Sequence, residues 1–134
     1  MATLNPYIHF PGICREAMNF YKSIFGGELT LMTIGESPMA AQMPDMKDQI
    51  LHSHLESKNI VIMASDMGPK DPKDQMTELC LVCDTKEEIE SLYAKLSAGG
   101  KITRALTQEF FGTFAQFTDK FGLNWMLQQG MAQK

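Results

Sequence analysis

Two segments of the chain show the hydrophobic spacing of an amphipathic helix that ends at a Gly-Gly pair. In residues 86–100, apolar side chains recur at i, i+3, i+4 and i+7, the spacing of one helix face. These side chains are Ile89, Leu92, Tyr93 and Leu96. Residues 15–27 repeat the pattern with Ala17, Phe20, Tyr21 and Ile24. Glycines after the last turn can take the left-handed backbone that ends a helix, so the pattern predicts two similar helices.

Strand-like runs surround each predicted helix in the same order. One run precedes each helix, at residues 6–10 and 78–84. Three runs rich in β-branched and apolar residues follow each helix. They cover 29–34, 50–56 and 60–65 after the first helix, and 102–106, 112–118 and 123–128 after the second. The order β-α-β-β-β therefore occurs twice, which indicates a duplicated module.

The two modules are separated by a segment with the composition of a linker. Residues 67–76 contain two prolines, a glycine and alternating charges. We therefore expect module 1 at 1–66, a linker at 67–76 and module 2 at 77–134. One helix covers only one face of a four-stranded sheet, so neither module buries a large core alone. The expected fold is a single α+β domain over 1–134, in which the two βαβββ modules form a curved, partly closed mixed β-barrel with the helices outside.

Strand alternation predicts which side chains face away from the helices, into the concave side of such a barrel. In residues 51–55, placing Leu51 and Leu55 under the helix turns His52 and His54 to the open side. The same rule applied to the other strands gives a set of expected ligand-binding residues, since a concave sheet surface suits a small molecule. The set is Tyr7, His9, His52, His54, Glu78 and Met126.

Composition and charge limit the classes of partner that we expect. Hydrophobic residues make up 44% of the 134 residues and charged residues 21%, as in ordinary globular proteins. The net charge is −4 and there is no basic run, so we expect no nucleic-acid partner. The longest apolar run, at 60–64, is too short for a membrane span, and residues 1–4 do not open a signal peptide. These features favour a cytoplasmic protein without a membrane partner.

The three cysteines do not form a redox or zinc motif in this reading. Cys80 and Cys83 have the CxxC spacing, but they lie in a predicted strand, where residues three apart point to opposite faces. A redox CxxC normally begins a helix, whose dipole lowers the thiol pKa. The odd count, completed by Cys14, favours reduced thiols.

Several segments, in order along the chain, resemble one protein superfamily. They are 5–10 (NPYIHF), 15–21 (REAMNFY), 25–27 (FGG), 52–55 (HSHL), 63–66 (MASD), 99–100 (GG) and 119–125 (DKFGLNW). The chain resembles the vicinal oxygen chelate superfamily of glyoxalase I, bleomycin-resistance proteins and extradiol dioxygenases. Within it, the chain is most similar to the PhnB-like branch, also described as 3-demethylubiquinone methyltransferase-like. The resemblance implies the barrel fold and a homodimer.

The resemblance also implies where a metal would bind. Metal-dependent members take His, Gln or Glu ligands from the first and last strand of each module. The matching positions here are Asn5, Ile62 (or Ala64), Glu78 and Met126, of which only Glu78 is a good ligand for a hard divalent ion. We therefore expect no cofactor and no metal at the inherited positions. A rebuilt zinc-like site with His9, His52, His54 and Glu78 is the alternative.

Three functions are compatible with these residues. The first is a binding module that holds a small molecule without converting it, as bleomycin-resistance relatives sequester drugs. The alternative is a lyase or isomerase whose acid-base candidates are His9, His52, His54 and Glu78. The third is a structural or regulatory dimer with no ligand. A methyltransferase is not expected, because the sequence has no Gly-rich strand-loop-helix motif suited to S-adenosylmethionine.

Overall fold

A computed structural model describes residues 4–67, 77–109 and 112–130. They fall into two compact units, which lie within Met1–Pro72 and Lys73–Lys134. Each unit has the element order βαβββ, so the predicted α+β fold of two such modules is confirmed. Except for Met67, the predicted linker at 67–76 lies outside the described residues. The exact module boundaries and the closure of the sheets into one barrel stay predictions.

The first unit contains one helix and one four-stranded mixed sheet. Its elements are β1 (Tyr7–His9), α1 (Cys14–Phe25), β2 (Glu28–Thr33), β3 (Ile50–Ser57) and β4 (Ile60–Ser65). The sheet order is β1-β4-β3-β2. The β1–β4 pair is parallel, and the β3–β4 and β2–β3 pairs are antiparallel. The segment between β2 and β3 contains two 3₁₀ turns, at Ile34–Glu36 and Pro44–Met46.

The second unit repeats this arrangement. Its elements are β5 (Leu79–Cys83), α2 (Lys86–Ser97), β6 (Lys101–Glu109), β7 (Gly112–Thr118) and β8 (Asn124–Gln129). The sheet order is β5-β8-β7-β6, again with one parallel pair, β5–β8. The sequence pattern thus located the two α-helices and the eight strands found in the described residues, and its largest error is in β6, which continues three residues beyond the predicted end.

Each helix packs on its own sheet and buries one stripe of side chains. In α1 the fully buried positions are Cys14, Ala17, Met18 and Tyr21. The predicted stripe therefore holds at Ala17 and Tyr21, while Phe20 and Ile24 lie at its half-buried border. In α2, Ile89 and Leu96 are fully buried and the other two predicted positions are half-buried. Burying a large apolar side chain contributes about 1.5–3 kcal/mol, so these stripes hold each helix to its sheet.

The second glycine after each helix lies too close to the backbone of a neighbouring strand to carry a side chain. A Cβ atom on Gly27 would collide with the backbone oxygen of Glu56, and one on Gly100 with that of Thr118. Both contacts lie where the chain leaves the helix and passes the end of a strand. Only glycine fits at these two positions, which explains why a glycine occurs at the same place after both helices.

The two helices begin in different ways. Thr85 caps α2 by accepting a hydrogen bond from the Glu88 backbone amide. The Glu88 carboxylate in turn accepts from the amide of Asp84, the residue before the cap. In α1 the capping oxygen comes from a distant residue, because the Cys14 amide donates to Asp66 Oδ1 at 3.0 Å.

Both helices have 12 residues. Across residues 4–67, 77–109 and 112–130, no helix is long and apolar enough to cross a membrane.

Candidate functional site

The side of the first sheet opposite α1, here the first open face, gathers the predicted site residues of module 1. Paired residues on neighbouring strands point to the same side of a sheet. Met63 is paired with both Tyr7 and His54, so these three side chains share one face. The neighbouring pair Leu55 and Ile62 lies on the buried face under α1.

Three rings on this face pack against one another, and we refer to Tyr7, His9 and His52 as the ring array. The Tyr7 ring centroid lies 5.3 Å from that of His9 and 5.7 Å from that of His52, with planes tilted by 40° and 30°. Tyr7 keeps 41% of its surface exposed. Such spacing is typical of interacting aromatic side chains, and the array offers an accessible conjugated surface.

A hydrogen bond links two members of the ring array. Tyr7 Oη lies 3.1 Å from His52 Nδ1. If the hydroxyl donates, the neutral imidazole carries its proton on Nε2; if Nδ1–H donates, the hydroxyl proton points elsewhere. In either form, one N–H or O–H donor remains for another acceptor. The pair can therefore donate to a ligand whichever tautomer is present.

Two methionines flank the ring array. Met32 is the strand partner of His52, and Met63 lies between Tyr7 and His54. Met32 is 43% exposed. Neither thioether was among the predicted site residues, although alternation along β2 and β4 together with the register identifies both. Thioethers make favourable contacts with aromatic rings, so they add to the surface around the array.

A bulge at the start of β3 sets the orientation of its histidines. Met32 pairs with His52, whereas Thr33 pairs with Ile50, which leaves Leu51 as the extra residue. Leu55 is fully buried as predicted, but Leu51 is half-buried and was wrongly expected to be its equivalent.

The corresponding side of the second sheet, here the second open face, carries different chemistry. A row across its strands consists of Cys80, Met126, Gln116 and Arg104. Gln116 Nε2 donates to both carboxylate oxygens of Glu78 at 3.0 Å. Arg104 lies 5.5 Å from the centroid of the Phe114 ring. The predicted residues Glu78 and Met126 are thus in one neighbourhood, where an amide holds the carboxylate.

Strand β8, which carries Met126 on its open face, is held in place by contacts on its helix-covered face. Trp125 is 1% exposed, and its Nε1 donates to Asp119 Oδ2 at 2.8 Å. The other oxygen of Asp119 accepts from the amides of Phe121 and Leu123. This buried carboxylate holds the turn into β8, and so places the strand against α2.

The thiols are not a pair. Cys83 is buried and Cys80 is exposed, as expected for residues three apart in a strand. Burial raises the pKa of the Cys83 thiol to about 11, and Glu88 and Asp84 add to the increase. Burial likewise raises the pKa of Cys14 to about 11, although its hydrogen bond with Ser53 opposes the shift. Both buried thiols are therefore poor nucleophiles at neutral pH.

The superfamily's metal positions do not match a divalent ion here. By register and burial, the position in module 1 that corresponds to Met126 is Met63; Ile62 and Ala64 lie on the buried face. Two thioethers, the Asn5 amide and one carboxylate are a poor set for a hard ion. Within the described parts of the chain, no three His, Cys, Asp or Glu residues are placed to hold a metal.

Comparison with known proteins identifies the family. The model of the 3-demethylubiquinone-9 3-methyltransferase family matches residues 2–128. The chain belongs to this family. Protein YjdN of Escherichia coli is 33% identical over 92% of both chains. The crystal structure of protein PA1353 from Pseudomonas aeruginosa is 35% identical, covers 96% of this chain and 98% of its own, and has a TM-score of 0.85. The predicted 3-demethylubiquinone methyltransferase-like branch is thus confirmed.

The wider superfamily shares the fold. A glyoxylase/bleomycin resistance protein/dioxygenase domain from Frankia matches the whole chain and 95% of its own length, with a TM-score of 0.62 and 16% identity. At this identity the likeness concerns the fold alone, and it confirms the predicted glyoxalase-like fold of this family member.

Proposed function

We propose that this PhnB-like protein binds a small organic molecule, with the first open face as a wall of its site and without the metal that the superfamily's enzymes use. The observation that carries the proposal is the ring array. Three conjugated side chains, two of them joined by a hydrogen bond, lie on a sheet face that α1 does not cover. Small-molecule sites combine such aromatic surface with a few oriented polar groups.

The donor chemistry supports a site without a metal. Hard divalent ions need several oxygen or imidazole ligands that converge at about 2 Å. Of the four inherited positions, two are thioethers, and the one carboxylate, Glu78, is held by Gln116. The binding energy of the proposed site therefore comes from stacking and hydrogen bonding.

The proposal is tested by a ligand screen monitored at the methionine methyl groups. We expect molecules from a chemically diverse fragment library to shift the ¹³C-methyl NMR signals of Met32 and Met63 and to raise Tm. The methyl group of Met18, which is fully buried under α1, is the matched control and keeps its shift. Elemental analysis of protein purified without chelator is expected to find less than stoichiometric zinc, nickel or iron.

Two results would contradict the proposal. One is a screen in which no compound moves either methyl signal. The other is a stoichiometric divalent ion that is lost on substitution of Glu78 and of the histidines together.

A second candidate is the lyase or isomerase, and the Tyr7–His52 hydrogen bond favours it. A tyrosine and a histidine that share a proton can deliver it to, or take it from, a bound carbonyl compound. An enzyme of this kind would exchange a ligand's C–H proton next to the carbonyl for deuterium, and the exchange would stop in His52→Gln. A ligand that binds without exchange favours the binding module instead.

Two further expectations remain proposals. We expect a homodimer, which light scattering of the purified chain measures directly. We also expect the protein in the cytoplasm, and a monomer or an exported protein would contradict the respective expectation.

A further inference from the structure

The chemistry of the ring array narrows the class of ligand. Building on the proposed function, we infer that the ligand is a planar conjugated molecule with an oxygen acceptor, a carboxylate or carbonyl, stacked on the ring array. Three properties of this face support this class of ligand. They are the geometry of the rings, the hydrogen-bond donor that the Tyr7–His52 pair leaves for a ligand, and the position of the acidic residues.

Ring geometry favours a flat partner. The rings of His9 and His52 lie within 5.7 Å of the Tyr7 ring and are tilted from it by no more than 40°. At these centroid distances and tilts, each histidine ring overlaps the Tyr7 ring in an offset stack, and such a stack can be continued by another flat ring. Tyr7, the middle ring, keeps 41% of its surface exposed, and the Met32 residue opposite His52 is 43% exposed. A flat conjugated ligand can therefore extend the stack and contact the Met32 thioether, whereas a puckered aliphatic ring cannot overlap an aromatic face over its whole area.

The remaining donor favours an acceptor on the ligand. In each neutral form of the Tyr7–His52 pair, one proton is used between the two residues and one is left over, on Nε2 or on Oη. A protonated imidazole leaves more donors. A carboxylate or carbonyl oxygen therefore finds a donor in every form. A donor on the ligand finds the Nε2 lone pair in only one neutral form, and in the other it has only the Tyr7 phenol oxygen, which is a weaker acceptor.

The strand carboxylates of the first open face are placed away from the array, and the Glu36 carboxylate near Met32 is held by the amide and hydroxyl of Thr33. On the first open face, Glu28 and Glu56 are paired at the other end of the β2–β3 ladder. His52 lies four residues from Glu56 along β3, a distance of about 13 Å at the rise of a strand. Because exposed charges this far apart are largely screened at physiological salt, these carboxylates do not repel an anion at the array.

The test compares three probes that separate planarity from acceptor chemistry. The probes are 2-naphthoate, decalin-2-carboxylate and 2-naphthylmethylammonium, each titrated into the full chain and followed at the ¹³C-methyl signals of Met32 and Met63. We expect 2-naphthoate to bind at least tenfold tighter than either of the others. The Met18 methyl is again the internal control.

Variants locate the binding. Tyr7→Phe keeps the ring but removes the hydroxyl, and we expect a loss of about tenfold for 2-naphthoate. Tyr7→Ser removes the ring as well and abolishes the shifts. Tyr93→Phe is the matched control, since that ring packs against Phe117 in the second unit. ¹H–¹³C spectra of each variant verify that it is folded.

The outcomes separate this inference from the proposed function. Equal binding of decalin-2-carboxylate would overturn the planar part, and equal binding of the ammonium probe would overturn the acceptor part. Unchanged naphthoate binding in a folded Tyr7→Ser variant would place the site elsewhere and overturn both parts. If only aliphatic or cationic library members move the two methyl signals, the ligand class is wrong and the proposed function stands. If nothing moves them, the proposed function itself fails.

Discussion

The two open faces share a topology but not a chemistry. Counted by register, the row Tyr7, Met63, His54, Thr30 on the first sheet corresponds to Cys80, Met126, Gln116, Arg104 on the second. Only the methionine is kept. The helix-covered faces, in contrast, are mostly apolar in both units, with Leu55 and Ile62 where the other has Phe117 and Trp125. The buried Ser53 is a polar exception, and it donates to the Ala64 carbonyl.

This difference shows which part of a duplicated module is constrained by folding. The covered face has to fill the space under a helix, so its positions accept apolar side chains or a small polar one whose hydrogen bonds are satisfied, as at Ser53. The open face carries no such requirement and can diverge. The open faces differ between the two units, with aromatic rings in one and an amide-carboxylate pair in the other. We therefore expect the functional residues among these positions.

The largest loss of stability is expected from a substitution on the helix-covered face of the second unit. We expect Trp125→Ala to lower the free energy of unfolding by about 3–5 kcal/mol, because it leaves a large cavity and removes the Nε1 partner of Asp119. Its neighbour Met126, on the open face, is the matched control, and Met126→Ala is expected to cost less than about 1 kcal/mol. Urea denaturation measures both. Similar losses for the two variants would mean that the faces do not differ in this way.

A second test concerns the different starts of the two helices. Asp66 accepts from the amides of Cys14 and Ile50, and so joins α1 to β3. We expect Asp66→Ala to destabilise the protein by about 2 kcal/mol, since two backbone donors lose their acceptor. The exposed Asp48→Ala is the control, at about 0.5 kcal/mol or less. If thermal unfolding gives the same Tm for both variants, the long-range cap does not contribute.

The two buried thiols limit the stability of the fold at alkaline pH. In the folded protein the pKa of Cys14 and of Cys83 is about 11, against an ordinary value of 9.0. The unfolded chain therefore loses these protons first as pH rises, and folding stability present below pH 9 is lost between pH 9 and 11. Each thiol is expected to cost about 1.3 kcal/mol between pH 8 and pH 10.

Stability curves of the double variant Cys14→Ala/Cys83→Ala and of Cys80→Ala check this expectation. The double variant should flatten the alkaline fall, and Cys80→Ala, at an exposed position of the same strand as Cys83, is the matched control. Because lysines and tyrosines also titrate in this range, the difference in slope between variants is the quantity to compare. Equal slopes would show that burial does not hold these two protons.

The smallest effect is expected at the ring array. Tyr7→Phe should change the free energy of unfolding by no more than about 0.5 kcal/mol, because the hydroxyl and its partner are exposed. The same variant should move the ¹⁵N shifts of the His52 ring and leave those of His54 in place. A large loss of stability would show that the array is structural, and would remove the contrast between the two faces of the first sheet.

Periodicity was enough to predict the architecture, but not its long-range details. Helical spacing and strand alternation located each element, and they indicated that His52 and His54 share a face with Tyr7 and His9. The Tyr7–His52 hydrogen bond joins residues 45 positions apart, and the Asp66 cap spans 52. Neither has a local sequence signal, because both depend on strand order. The strand register was needed to show that Met63, and not Ile62, occupies the position in the first unit that Met126 occupies in the second.

The bulge at Leu51 has a consequence for how this chain tolerates change. Residues 34–49 enter β3 through Ile50, whose amide is held by Asp66, and the extra residue is absorbed before His52. Lengthening or shortening the preceding segment therefore alters a stretch that is already anchored at its far end. We therefore expect changes in the length of residues 34–49 to leave the direction of the His52 and His54 side chains unchanged.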